Sequence, residues 1–155
     1  MTKLFTLLFA CLASTLITGC ASTPSTSVQS NVLDSSGFSS YKRAYVKPIQ
    51  QDEFQVASAV MGELSTMGME INAQPFKEPQ QTDMIVEIEV IDGWDLSKYL
   101  KGLQLRFTNA ASSRIIATTA FNSNGIWMGV REKRLKAVFN DLREKLGLPP
   151  TKQFD

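Results

Sequence analysis

The residue with the clearest chemical role is Cys20, a thiol at the end of a short apolar amino-terminal segment. The segment begins with Lys3, continues with an apolar stretch from Leu4 to Ile17, and ends in small residues before the cysteine. This layout is typical of a signal peptide. The 14-residue apolar stretch is shorter than a membrane-spanning helix requires. We therefore expect residues 1–19 to be removed from the mature protein.

The run Leu16-Ile17-Thr18-Gly19-Cys20 resembles the lipobox of bacterial lipoproteins, with an aliphatic residue three before the cysteine and small residues between them. The resemblance implies cleavage between Gly19 and Cys20 and acylation of Cys20. Several acyl chains on one residue hold a protein stably, whereas one chain gives only marginal membrane binding. Two other interpretations stay open, an ordinary signal peptide with an incidental cysteine and an uncleaved anchor.

The chain contains no histidine, which excludes His-based triads, His-assisted cysteine nucleophiles and the commonest zinc sites. Asp92 and Asp95 flank Gly93-Trp94 at a predicted strand end, and two close carboxylates could serve acid–base chemistry or bind a cation. We favour a turn in which the aspartates cap backbone amides, because no third acidic residue completes a calcium loop. The sequence therefore predicts a protein that is not an enzyme and has no cofactor and no metal.

Trp94, Tyr99 and Trp127 lie beside predicted loops rather than within regular strand or helix patterns. Aromatic side chains in such places could form a binding rim for a glycan or peptide. They could equally fill the end of a hydrophobic core, and we favour that interpretation because tryptophan is usually largely buried.

Charged residues and methionines form further clusters with structural explanations. Arg131, Lys133, Arg134 and Lys136 could contact acidic lipid headgroups, but the neighbouring Glu132 favours a solvated, ion-paired helix face. Glu87 and Glu89 are predicted to lie on the solvent-exposed face of a strand rather than to form a catalytic pair. Thioethers can bind Cu(I), but we interpret the methionines as flexible core filler; these are Met61, Met67, Met69 and Met84.

Removal of residues 1–19 leaves 15 basic and 15 acidic residues, so the mature chain has no net charge. A neutral chain argues against nucleic acid as a partner. Cys20 becomes the only cysteine, so no intrachain disulfide is expected. The hydrophobic content of 43% and the length suit one globular domain.

The periodicity predicts a single folded domain between a tether and a tail. Residues 20–40 are rich in serine and threonine and predict a flexible tether behind the lipidated cysteine. The domain is expected over 41–148 and a tail over 149–155. Within it we expect a strand at 43–49, kept at a sheet edge by Pro48, a helix capped by Asp52 and Gln55, and a strand at 84–91. Strands at 103–108 and 115–121 and a helix closed by Gly147 follow.

This order predicts an α+β fold, an antiparallel sheet of four to five strands with two helices packed on one face. The pattern resembles compact domains of small lipoproteins from Gram-negative envelopes, including the lipopolysaccharide-assembly lipoprotein and the amino-terminal domain of the Tol system's propeller protein. The resemblance is topological and covers roughly residues 41–148.

We expect a lipid-anchored envelope protein that acts by binding or assembly. Its expected partners are the membrane, through the N-terminal lipid, and another envelope protein. In enterobacterial sorting an aspartate after the lipidated cysteine retains a lipoprotein at the inner membrane. Because Ala21 follows Cys20 here, we expect the protein to be located at the cell outer membrane and to face the periplasm. The alternative is a carrier for a small lipid, glycan or peptide that uses Trp94, Tyr99 and Trp127.

Overall fold

The computed structural model describes residues 26–72, 82–94, 98–123 and 131–151, which form six strands and three helices. The sheet order is β1-β6-β5-β4-β2-β3. In chain order the elements are β1 (Thr26–Val32), α1 (Ser35–Ser40), β2 (Arg43–Val46), α2 (Val56–Thr66), β3 (Glu70–Asn72), β4 (Met84–Trp94), β5 (Lys98–Asn109), β6 (Ile115–Ser123) and α3 (Arg131–Lys145).

The sheet is mixed. Strands β4, β5, β6 and β1 pair antiparallel, whereas β2 runs parallel to both β4 and β3. The α+β class is confirmed, but the predicted antiparallel sheet of four to five strands with two helices is wrong. Helix α2 carries the chain from the end of β2 back to the start of β3, so the two strands run in the same direction.

Strand β2 lies between β4 and β3 and is not the edge strand that we predicted from Pro48. The strand ends at Val46, and the backbone N–H of Lys47 still donates to the carbonyl of Val86 at 2.9 Å. Because Pro48 follows the last ladder bond, its missing N–H does not interrupt the pairing.

Residues 26–40, which we predicted to be part of a flexible tether, belong to the folded domain. Seven consecutive residues of β1 pair with β6 without a register shift. The Ser30 hydroxyl donates to Thr119 Oγ1 at 2.7 Å in the core, and the ring of Phe38 meets Phe107 edge-on at 5.3 Å. The tether prediction failed because small polar residues can alternate with valine in a strand, so serine content alone did not indicate disorder.

One face of the sheet carries the hydrophobic core, and its rows of side chains cross several strands. A typical row consists of Val46, Val86, Phe107, Ala117 and Val32. The buried side chains of all three helices join this core. The opposite face, here called the open face, carries polar rows such as Glu87, Arg106, Thr118 and Asn31. A two-residue period therefore separates a covered face from an open one.

The predicted residues cap and end the helices, except that Gln55 does not take part in the cap of α2. Asp52 accepts from the amides of Val56 at 2.6 Å and Ala57 at 2.8 Å, so its carboxylate caps α2. Gln55 forms no side-chain cap bond and has a left-handed backbone (φ 51°), so the predicted pairing of the two residues in the cap does not form. Gly68 (φ 85°) and Gly147 (φ 69°) end α2 and α3 as predicted.

Arg143 and Asn140 connect α3 to neighbouring parts of the chain. The buried Arg143 donates to the Thr66 hydroxyl at 2.6 Å, which ties α3 to the end of α2. Asn140 Oδ1 accepts from the amide of Thr151 at 2.9 Å. The predicted tail from residue 149 is therefore packed against α3 as far as Thr151.

Asp83 aligns the parallel pair β2–β4. Its Oδ2 accepts from the backbone amides of Lys42 and Arg43, each at 2.9 Å, and the Asp83 amide donates to the Arg43 carbonyl at 3.1 Å. The Arg43 guanidinium lies 3.7 Å from Asp83 Oδ1. The Asp83 carboxylate thus holds the first residues of β2 next to the start of β4.

We expect Asp83→Ala to lower the free energy of unfolding by about 1–2 kcal/mol, because two backbone donors lose their acceptor. Urea unfolding followed by circular dichroism measures this change. Asp92→Ala, an exposed aspartate near the other end of β4, is the matched control and should change stability by less than about 0.5 kcal/mol. Equal losses in the two variants would contradict the role of Asp83.

Candidate functional site

The hairpin of β4 and β5 extends past the rest of the sheet. Strand β6 pairs with β5 from Gly102 to Thr108, so within the described ranges Asp92–Trp94 and Lys98–Leu100 pair only with each other. We call these six residues the distal hairpin. The register shifts between Ile91 and Asp92, which leaves a bulge at Lys101.

The turn predicted around Asp92 is wrong at that residue, because β4 continues as a strand through Trp94. Its partner in that prediction, Asp95, lies outside the described residues. The bulge restarts the pairing in a new register, and this lets the strand continue beyond the point where the apolar alternation ends.

The aromatic residues of the predicted rim have different environments. Trp94 is 77% exposed and lies opposite Lys98, so core filling is excluded for this residue. Tyr99 is half-buried and packs over Gly93, where an added Cβ would lie 2.4 Å from the tyrosine ring. Trp127 lies outside the described residues. An exposed indole supported by a close Tyr–Gly contact is an available stacking surface.

A shallow cleft of about 280 Å³ separates the distal hairpin from the loop that precedes α2. Its apolar wall is formed by Ile49, Phe54 and Val90. The Lys98 ammonium donates to both oxygens of Glu53, at 2.9 and 3.0 Å, and this contact raises the pKa of Lys98. The cleft is lined by Ile49, Gln50, Gln51, Asp52, Glu53, Phe54, Val90, Asp92 and Lys98.

Two of the carboxylates that line this cleft have structural partners. Asp52 is committed to the α2 cap and Glu53 to Lys98. Among the described residues no group of three or more potential ligands could hold a metal ion. The cleft can contact a small polar molecule or a peptide side chain, with Trp94 beside it on β4 as the large apolar surface.

Arg134 lies under the distal hairpin and was not expected there. It is only 7% exposed, its Nη1 donates to the Leu100 carbonyl, and its guanidinium lies 5.7 Å from the centre of the Phe121 ring. Burial lowers the pKa of Arg134, and Nη2 has no hydrogen-bond partner among the described residues. The guanidinium joins α3 to β5 at the base of the hairpin.

The predicted solvated face of α3 is therefore wrong for Arg134. Lys133 is exposed and Lys136 is half-buried, while the side chain of Arg131 lies outside the description. A sequence signal did exist, because Arg134 precedes the buried Val138 by four residues and so borders the apolar stripe of the helix.

The open face of the sheet carries the acidic strand pattern as predicted. Glu89 is exposed, and Glu87 is half-buried between two cations, Lys47 at 2.5 Å and Arg106 at 3.4 Å. The hydrogen bond from Lys47, followed by the charges of both cations, lowers the pKa of Glu87. The single carboxylate of Glu87 is shared by both cations, which stabilises this part of the open face.

The methionines fill the core. Met69 and Met84 are buried, and Met61 and Met67 pack against the core from the edge of α2. No helix within the described ranges is long and apolar enough to cross a membrane.

Comparisons with known proteins identify the fold through solved structures. No protein-family profile and no curated protein matches the chain. A PelC dodecamer from Paraburkholderia phytofirmans superposes with a TM-score of 0.51 at 10% identity, over 83% of this chain and 100% of that chain. A PelC point variant from the same organism, also a dodecamer, gives a TM-score of 0.50 at 9% identity, over 81% and 100% of the two chains. The protein therefore shares the fold of PelC.

We expect Trp94 to behave as a solvent-exposed indole in the folded protein. In a Trp127→Phe chain, which retains Trp94 as the sole tryptophan, emission should be close to that of the urea-unfolded chain and acrylamide should quench it efficiently. The Trp94→Phe chain reports Trp127 separately and serves as the comparison. A blue-shifted emission from Trp94 that resists acrylamide would contradict its exposed position.

We expect Glu87→Gln to destabilise the protein by about 0.5 kcal/mol at neutral pH, the usual size for a partly exposed ion pair. Because the pKa of Glu87 is lowered on folding, the native charge contributes stability above its ordinary pKa. That contribution is lost as the pH falls through the folded pKa, so the two unfolding curves should converge in acid. Glu89→Gln, two residues along the same strand and exposed, is the control and should change the stability at neutral pH by less than Glu87→Gln does.

Proposed function

We propose that the protein is a lipid-anchored component of the bacterial envelope that acts without catalysis, by assembling with other proteins, including copies of itself. The observation that carries the anchoring is the run from Leu16 to Cys20, with its aliphatic residue, its small residues and its terminal thiol. The outer membrane is the proposed location, with the domain facing the periplasm, because Ala21 rather than an aspartate follows the cysteine.

The start of β1 limits how far the domain can stand from the membrane. Only five residues, 21–25, lie between Cys20 and Thr26, where the sheet begins. A chain of that length spans at most about 20 Å when fully extended. The proposed protein is therefore held close to the bilayer surface, which favours contacts between neighbouring copies in the same membrane.

Two features support assembly as the mode of action. The two PelC structures that share this fold are dodecamers, so the fold is compatible with a closed assembly of identical chains. The described part of the chain ends its sheet in a seven-residue strand that pairs on only one side. Such an edge is a natural docking site for another polypeptide.

A second candidate function is that of a carrier for a small lipid, glycan or peptide. The exposed Trp94 and the adjacent cleft between Phe54 and Lys98 favour it. The cleft volume of about 280 Å³ is slightly below the range usual for ligand pockets, which ranks this function behind assembly.

We expect Cys20→Ser to abolish lipid attachment when the full chain is expressed in a Gram-negative host. The native protein should lose residues 1–19, gain acyl mass and fractionate with the outer membrane, since acylation requires the sulfur. Intact mass and membrane flotation measure both effects. Cys11→Ser, which changes a cysteine within the removed segment, is the matched control and should leave mass and location unchanged.

The same preparations distinguish the proposed functions. After crosslinking in the intact envelope, an assembly component should be recovered with protein, whereas a carrier should be recovered with small molecules that depend on Trp94. A native protein without acyl mass would contradict the anchored function. A native protein that is monomeric after detergent extraction, with no crosslinked protein, would contradict assembly.

A further inference from the structure

Strand β1 pairs on one side only among the residues that the structure describes, and its other edge, here called the free edge, has a fixed hydrogen-bonding pattern. The amide of Leu33 donates to the carbonyl of Ile116 at 2.8 Å, in the same register that pairs β1 with β6. In an antiparallel ladder, alternate residues direct both backbone groups to the same neighbour. Residues 27, 29, 31 and 33 therefore face β6, while Thr26, Val28, Ser30 and Val32 direct their N–H and C=O groups outward.

This pattern makes β1 complementary to a second copy of itself. If two β1 strands lie antiparallel with full overlap, Gln29 meets Gln29 at a twofold axis. Val28 then lies opposite Ser30, and Thr26 opposite Val32, so every outward residue meets another outward residue. With full overlap of the two β1 strands, the outward N–H and C=O groups of each copy therefore bond to those of the other copy.

The side chains of β1 also suit this arrangement. The strand has no charged residue, no proline and no bulge, which are the usual protections of an exposed edge. Gln29 and Asn31 are exposed on the open face, where their amides could bond across the new strand pair. The short edge at β3, only three residues long and beginning with the exposed Glu70, offers much less.

We propose that two copies of this protein associate through antiparallel pairing of their β1 strands, which joins two sheets into one. This inference rests on the proposed self-assembly and identifies the surface responsible for it. The twofold pair is the smallest unit of the assembly. A larger even-numbered assembly would need a second interface in addition to this one.

The pairing predicts a disulfide at one position and not at its matched control. In the mature full-length chain expressed in the periplasm, Gln29→Cys places two thiols at the twofold axis, and we expect a dimer on a non-reducing gel that disappears with reductant. Gln104 lies on the same face and in the same row of side chains, two strands inside the sheet. The Gln104→Cys variant should therefore form no disulfide and should run as a monomer on the same gel. The parent chain shows the background from Cys20.

Each result supports or overturns the pairing. Crosslinking of both variants, or of neither, overturns it, as does a disulfide between Gln29→Cys and Glu70→Cys chains, which would join β1 to β3 instead. If the parent protein is oligomeric by native mass while Gln29→Cys gives no dimer, the edge inference fails and the proposed assembly stands. A parent protein that is monomeric by native mass and also gives no crosslinked dimer in the intact envelope overturns both.

Charge substitutions test the same contact without covalent trapping. Gln29→Lys and Gln29→Glu should each weaken self-association several-fold, because identical charges meet at the axis, and an equimolar mixture should restore it. Gln104→Lys is the control and should leave association unchanged. Loss of association in the mixture as well would overturn the twofold register, and unchanged folding by circular dichroism excludes unfolding as the cause.

Discussion

The two-residue period shared by strands β4, β5, β6 and β1 is the constraint on which the rest of the structure depends. It places Val86, Phe107 and Ala117 in one row beneath the helices and Glu87, Arg106 and Thr118 in a row on the open face. A slip of one residue would exchange the two faces and bury the ion-paired Glu87. Burial of each large apolar side chain contributes about 1.5–3 kcal/mol, so the register is strongly determined. The same alternation directs the backbone groups of β1 outward at the edge.

Arg134 shows how a buried charge can position a surface feature. The distal hairpin lacks support from β6, because β6 pairs with β5 only as far as Gly102. The guanidinium compensates by binding the Leu100 carbonyl and lying against Phe121, on the face where α3 packs. Removing a cation from water is costly. The contact stabilises the hairpin because it supplies a hydrogen bond and a ring surface where, among the described residues, the sheet is two strands wide.

The sequence predicts periodic elements well and long-range pairing poorly. The alternation of Met84–Ile91 and the glycine ends at Gly68 and Gly147 depend on neighbouring residues, and these predictions are confirmed. The direction of β3 depends on the path of α2, and the strand at Thr26–Val32 depends on a partner about ninety residues away. Composition indicated a tether there because serine and threonine are common in disordered segments. The burial of Arg134 likewise depends on a carbonyl from another element, which no local pattern contains.

A polar edge strand has a consequence for how such a protein could assemble reversibly. Strand β1 joins its own sheet through Val28 and Val32, yet its exposed residues are small or amide-bearing, so the free edge does not present a hydrophobic patch. Association through it would exchange backbone bonds to water for backbone bonds to another chain, with a modest net gain per bond. A contact of that kind is weak between free molecules. In the arrangement that we propose, lipid anchors at Cys20 would hold the chains at high local concentration, so anchoring and pairing at β1 would reinforce each other.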